Sequence, residues 1–379
     1  VELTWRRLNR SSLHRQMLLE RQKGSVADAV GRLVVLQAQD PASPYLALAA
    51  RLASFDPASL DAAYADRSLL RTTLLRITLH TVAAQDHPGF HNAMTETLMA
   101  SRLHDRRYSE TGLTPEAARA LVPGLTDFLS EPRRPEAIMA HLEASSGCAP
   151  PRLWWALKTF APVAHVPEAG PWSFHRDRAY QSAGSWAGPE VQDASLASLV
   201  HRYLGAFGPA TAQDIGRFAL LRMPLVRRGL AALDEDLVTH RGPDSRVYYD
   251  LAGAELPPED APAPVRFLPM WDSLLLAYTD SRRVVPDPWR RVVTRINGDV
   301  LPTVLVDGFV AGLWRPQGEG IEVTALGPLS EETWDRIEVE ARGLKVLLTA
   351  RDPAVYRGVF HWWTKGLPSA EVRVVARGD

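Results

Sequence analysis

Two glutamines stand one residue apart, Gln37 and Gln39, in the segment VVLQAQDP that closes on Pro41. An amide does not titrate near neutral pH, so the pair cannot take a proton as a general base. What two amides can do is hold a water or a substrate group and polarise it through oriented N–H and C=O dipoles. Upstream, Val26, Val30, Leu33 and Val34 recur at helical spacing, and Gln37 continues that inward face as a predicted helix over 25–37 runs out. Pro41 biases Asp40 away from helical dihedrals, so residues 38–40 are expected to be extended, and alternate side chains of an extended segment project the same way. Gln37 and Gln39 would then aim together. The competing reading is that both only cap and solvate a helix end.

Other chemistry-bearing patterns are sparse. There is no Gly-rich phosphate loop, no GxSxG elbow and no HExxH. His87 and His91 are four apart, but Pro88 and Gly89 separate them and no acidic third ligand has a fitting spacing, so they read as a surface pair at a helix start, not as zinc ligands. Neither a metal nor a cofactor is expected. The single cysteine, Cys148, excludes an internal disulfide and a Cys-based zinc site and reads as a small apolar residue. Lysine occurs only at Lys23, Lys158, Lys345 and Lys365, which leaves few amines for Schiff-base chemistry.

The elements that must position the glutamines belong to a chain of 379 residues with ordinary globular composition, 46% hydrophobic and 23% charged, long enough for two or three domains. Its longest apolar runs, such as 344–350 and 301–306, are strand-length, so nothing reads as a bilayer span. The opening stretch VELTWRRLNRSS lacks the apolar core of a signal peptide, and a cytoplasmic location is expected. Net charge is −1, yet it is unevenly spread. Residues 150–228 are rich in arginine, including Arg152, Arg176, Arg178, Arg202 and Arg217, and also carry Lys158, whereas 234–260 is acidic. A local basic cleft is compatible with that distribution.

The clearest architecture lies between Ser195 and Leu251. SLASLVHRYLGAFG reads as a helix closed by Gly208 and Pro209, and Thr211 caps a second helix with Asp214 as its capping-box partner. A third helix follows with Pro224 in its first turn, and then two β-rich runs flank Gly242-Pro243-Asp244. Helix, helix, helix, hairpin is the winged-helix plan. The same order recurs more faintly with helices at 115–129, 135–144 and 152–160 and a hairpin of PVAHV with WSFHR. It recurs again with helices at 11–22, 25–37 and 57–65 and strands meeting near Arg76. After a Pro-rich connector the remainder is mostly strand, including LKVLLTA, with an acidic helix at 331–341. The expected fold class is α+β, predominantly helical, with three tandem winged-helix motifs (1–110, 111–190, 191–260) forming a concave DNA-binding cleft and a C-terminal β-rich region (261–379). Three such units in one chain point to a monomer that surrounds duplex DNA by itself.

Five segments in register, LQAQDP, LRITLHTVAAQD, FGPATAQDI, LPMWDSLLLAYTDSRR and LPTVLVDGFVAGLWR, resemble the AlkZ/YcaQ-like family of bacterial winged-helix DNA glycosylases along the whole chain. The resemblance implies that Gln37 and Gln39 are a two-glutamine catalytic motif. Other branches carry a carboxylate at the second position, and Asp40 falls one place too late for it. It also implies a monofunctional glycosylase, without lyase activity, for N7-alkylated purines in double-stranded DNA, including unhooking of interstrand crosslinks, in DNA repair and self-resistance to an alkylating natural product. Such a base carries its own positive charge and leaves readily, which suits two amides that only position and polarise. Candidate DNA-binding residues are Arg76 and His80 near the first wing, Arg282 and Arg283, and Trp314 with Arg315 at a strand end. For His80 the alternative is a bond to a neighbouring strand. Asp272, Tyr278 and Arg282 recur in the family pattern, with Asp272 and Arg282 equally readable as a structural pair. The alternative class is a non-catalytic winged-helix DNA-binding transcriptional regulator.

Overall fold

The first helix, Trp5–Arg15, begins where the side chain of Thr4 accepts from the amide of Arg7, earlier than the predicted 11–22. Its inward face is polar: Asn9, Arg10, Ser11, Ser12 and Arg15 are all buried, so apolar periodicity does not mark it. Distant partners satisfy those groups. Arg15 pairs with Asp250 at 2.6 Å, Arg10 pairs with Asp307, and the Asn9 amide donates to the carbonyls of Arg283 and Gly308 at 2.8 Å. Gly308 sits at φ +83, and a Cβ there would fall 2.5 Å from both Asn9 and Leu13. The computed structural model describes residues 2–147, 151–174 and 179–378; Cys148, Arg176 and Arg178 lie outside these.

The next helix, Val26–Arg32, is capped by Ser25 and ends well before Gln37. Val34 at φ +70 turns the chain, and Leu36–Gln37 becomes a short strand, β1. With β2 (Leu69–Thr73), β3 (Leu79–Ala83), β4 (Val163–His165) and β5 (Tyr180–Ser182) it builds one antiparallel sheet in the order β1-β3-β2-β4-β5. The strand pairs expected in 1–110 and 111–190 are therefore halves of a shared sheet. The returning strand of the second pair is β5, not the predicted 172–176, part of which lies outside the described residues. Trp172 and Phe174 are buried instead as edge-on partners of Tyr45 and Tyr64, which explains their strand-like apolar pattern. The predicted helix 115–129 is two helices, Pro115–Ala120 and Val122–Phe128, because Pro123 opens a new first turn.

From Asp193 the order is as read: helices Asp193–Phe207, Ala212–Ala219 and Met223–Ala231, then β6 (Leu237–Arg241) paired with β7 (Val247–Leu251). The Thr211–Asp214 capping box is present, and Pro224 stands in the first turn of the third helix. Beyond the connector, β8 (Arg266–Leu268), β9 (Thr303–Val306), β10 (Phe309–Gln317), β11 (Gly320–Ala325) and β12 (Glu371–Val375) form a second antiparallel sheet, ordered β12-β11-β10-β9-β8. One expectation fails here. LKVLLTA is the second half of a long helix, Glu331–Arg351, not a strand. A short apolar run has no period to tell the two apart. Among the described residues no helix is long and apolar enough to cross a membrane.

Candidate functional site

Gln37 lies on β1 directly opposite His80 of β3, so the two side chains share a face of the sheet. Its Nε2 is 3.3 Å from the Thr78 hydroxyl and its Oε1 3.4 Å from Arg76 Nη2. Only 6% of Gln37 is exposed, whereas Gln39 is an exposed residue. The Oε1 of Gln39 accepts from the amide of Leu79 at 3.4 Å. The two amides thus meet adjacent residues at the start of β3, Gln37 meeting Thr78 and Gln39 meeting Leu79. The backbone between them is held on two sides. Ala38 N–H donates to Leu79 at 2.9 Å, and Ala38 C=O accepts from Nε and Nη2 of Arg71 at 3.0 and 2.9 Å. Asp40 turns away, accepting from the amide of Ala42, and its burial raises its pKa above the ordinary carboxylate value.

Gln39 opens onto a cleft of about 230 Å³ whose other walls include Thr78, Leu79, Arg102, Trp155, Lys158 and His165. Two cations and no carboxylate belong to its lining. Arg102 donates to Thr159 at 3.0 Å and lies 4.6 Å from the centre of the Trp155 ring, with Arg107 4.4 Å from the same ring. Sequence reading missed Arg71, Arg102 and Trp155. The signal available was the spacing of Trp155 and Lys158, three apart on one helix face within the basic stretch.

Of the predicted DNA contacts, several are interior. Trp314 is fully buried in β10 with Nε1 donating to the Leu268 carbonyl at 2.9 Å, so it anchors the second sheet and is unavailable to DNA. Arg283 is likewise buried, donating to the Ser12 hydroxyl at 2.6 Å and to the Pro209 carbonyl at 2.6 Å. His80 is fully buried, and burial together with the Arg76 charge holds its pKa well below the ordinary histidine value. Burial pushes the Arg76 guanidinium down to about 10, still cationic at neutral pH, and its Nη1 donates inward to the Phe218 carbonyl at 2.7 Å. Both are engaged within the protein. Arg282 remains exposed, chelated by Asp280 and lying over Trp5, and Arg315 is half-buried against Glu322 at 2.8 Å.

Asp272 does not pair with Arg282. It takes both Nη groups of the buried Arg51 at 2.8 Å, and Tyr278 bonds Ser12 and the Phe207 carbonyl. His87 and His91, expected at the surface, are buried, because the helix His87–Leu103 packs its first turns inward with the two rings 5.3 Å apart. Burial lowers their pKa values to about 3 and about 4.

Comparison with known proteins converges on one family. The family described as DNA glycosylase AlkZ-like matches residues 30–345, which hold both glutamines and every wall of the cleft beside them. A Streptomyces sahachiroi protein described as an interstrand DNA cross-link repair glycosylase is 27% identical over 356 residues, spanning 90% of this chain and 95% of that one. Among solved structures, the S. sahachiroi DNA glycosylase AlkZ shares the fold with a TM-score of 0.77 at 23% identity, over 91% of this chain and 98% of that one. With its matched region covering most of its length, the chain belongs to the AlkZ-like DNA glycosylase family.

Proposed function

We propose that the protein is a monofunctional DNA glycosylase that hydrolyses the N-glycosidic bond of N7-alkylated purines, including those joined in interstrand crosslinks, with Gln37 and Gln39 as its catalytic residues. The observation that carries this reading is that Gln37 meets Thr78 and Gln39 meets the adjacent Leu79, where Gln39 opens onto a cleft with cationic walls and no carboxylate. With no carboxylate in that lining, the charge of the substrate supplies the driving force. When the C1′–N9 bond breaks, its electron pair neutralises the cationic purine and leaves an oxocarbenium-like sugar. Water adds at C1′ and, once bonded to a cationic centre, loses its proton to bulk water. Amide carbonyls favour the developing sugar cation, and amide N–H groups orient the water. An open cleft also avoids extruding a base that is tethered to the opposite strand.

Three tandem winged-helix units forming a concave basic surface are the proposed frame for duplex DNA. Arg282 and Arg315 are its remaining surface candidates for phosphate contact, and the chain acts as a cytoplasmic monomer in repair and self-resistance. The test is base release from a duplex carrying one N7-methylguanine, or one mustard-type N7–N7 crosslink, read as alkali-sensitive abasic sites. Release is expected, and Gln37→Ala and Gln39→Ala should each lower the single-turnover rate about 100-fold or more while DNA affinity stays within a few-fold, because affinity rests on phosphate contacts. Binding without release by the unaltered protein would favour the non-catalytic DNA-binding regulator.

A further inference from the structure

Arg76 and Ile77 are consecutive non-glycine residues at φ +51 and +59. Left-handed backbone is unfavourable for non-glycine residues and persists only where surroundings over-determine it. Here the strained turn aims the Arg76 guanidinium inward, where each of its ends is engaged. Nη1 donates to the Phe218 carbonyl at 2.7 Å, with the guanidinium 5.0 Å from that ring's centre, while Nη2 lies 3.1 Å from His80 Nε2 and 3.4 Å from Gln37 Oε1. His80 Nδ1 is 3.0 Å from the Thr78 carbonyl, which can only accept, so the ring proton sits on Nδ1 and the Nε2 lone pair faces Arg76. The Thr78 hydroxyl lies 3.2 Å from the Leu75 carbonyl, 3.4 Å from Gln37 Oε1 and 3.3 Å from Gln37 Nε2; donating to the nearer Leu75 carbonyl, it receives Nε2, while Arg76 holds Oε1.

We infer that Arg76 and His80 are positioning residues that lock the amide of Gln37 in one orientation, with its oxygen toward Arg76 and its nitrogen toward Thr78. This leaves Gln37 one Nε2 hydrogen and one Oε1 lone pair to present to the sugar and the attacking water. Without the lock the amide is free to turn by 180° and offer the opposite dipole. The second anchor, Phe218, lies on the helix Ala212–Ala219 of the 191–260 region, so the orientation of Gln37 depends on a segment remote in sequence.

The inference rests on Gln37 being catalytic, and the experiment separates the two. Single-turnover release from the N7-methylguanine duplex and DNA affinity are measured for Arg76→Gln, Gln37→Ala and their double variant, and for His80→Leu and His80→Gln. Arg76→Gln should slow release roughly 10- to 100-fold with affinity within twofold, and should add nothing further in the Gln37→Ala background. His80→Leu should be slow, whereas His80→Gln, whose amide oxygen falls near the lost Nε2 acceptor, should recover most of the rate. If Arg76→Gln loses affinity with an unchanged rate at saturation, Arg76 contacts phosphate and the inference is wrong. A full loss persisting in the Gln37→Ala background also overturns it, as does equal slowing by both His80 variants. Should Gln37→Ala itself be fully active, the catalytic assignment of Gln37 is what fails.

Discussion

Replacing Asp272 by asparagine tests whether a residue in a family-like motif serves chemistry or scaffold. Arg51 is fully buried, and both of its Nη groups bond the two Asp272 oxygens at 2.8 Å, with further bonds to the Ala47 carbonyl at 3.1 Å and Gln16 at 3.3 Å. The same carboxylate accepts from the amide of Leu274 at 3.0 Å and so starts the short helix Ser273–Leu276. Asparagine has the same shape but carries no charge and turns an NH2 group toward a guanidinium, leaving that buried cation without a counterion. Breaking such a pair on one side costs about 3–5 kcal/mol. At roughly 2 °C per kcal/mol for a chain of this size, the melting midpoint should fall by roughly 6–10 °C. In urea the midpoint should drop at unchanged slope, while the release rate of folded enzyme well below its melting point stays within twofold. Arg51→Met with Asp272→Leu, which removes both charges, should recover most of the loss. A folded Asp272→Asn variant of unaltered stability but lost release would refute the reasoning and move Asp272 into the catalytic machinery.

Two further outcomes follow from the site and its surroundings. Lys158→Ala, on the wall of the Gln39 cleft, should weaken binding of undamaged duplex and lower the slope of log affinity against log salt by about one; an unchanged slope would remove the cleft from the DNA path. His87 and His91 are neutral when folded, with pKa values of about 3 and about 4, and protonate near 6.5 when unfolded. Their contribution is therefore fully present above pH 6.5 and lost as pH falls toward those folded values, with a slope of about 1.4 kcal/mol per pH unit for each; His91→Phe should flatten the acid limb of the urea midpoint against pH, and an unaltered limb would count against this account.

What could be read from sequence follows from which interactions leave a local mark. The Thr211 capping box, Pro224 and the turn at Gly242 determine the helices and hairpin around them through contacts a few residues apart, and each stands where expected. Gln37 and Gln39 were legible as a pair because Pro41 constrains what precedes it. That Gln37 belongs to a strand was not, since its partner His80 is far along the chain and the turn at Val34 has no sequence signature. Trp314 and Arg283 misled for one reason: residue type announces aromatic or cationic character, but burial is decided by tertiary packing. Arg71, which braces the backbone between the two glutamines, carried no signal for the same reason.

The polar inner face of the helix Trp5–Arg15 has a consequence for the order of events during synthesis. Outside the helix, its buried arginines and asparagine find partners no nearer in the chain than Leu204, and the rest at Asp250, Glu255, Arg283, Asp307 and Gly308. A helix with this composition gains little from docking onto a half-made protein, because desolvating those groups without partners costs more than its few leucines return. Although it leaves the ribosome before all of these partners, it can dock only after them. Closing so long a loop is slow, and until then the surfaces of the 191–260 region and the second sheet that meet this helix stay open. Nascent chains halted before residue 308 should therefore hold this segment accessible to protease, and the finished protein should release it early when it unfolds.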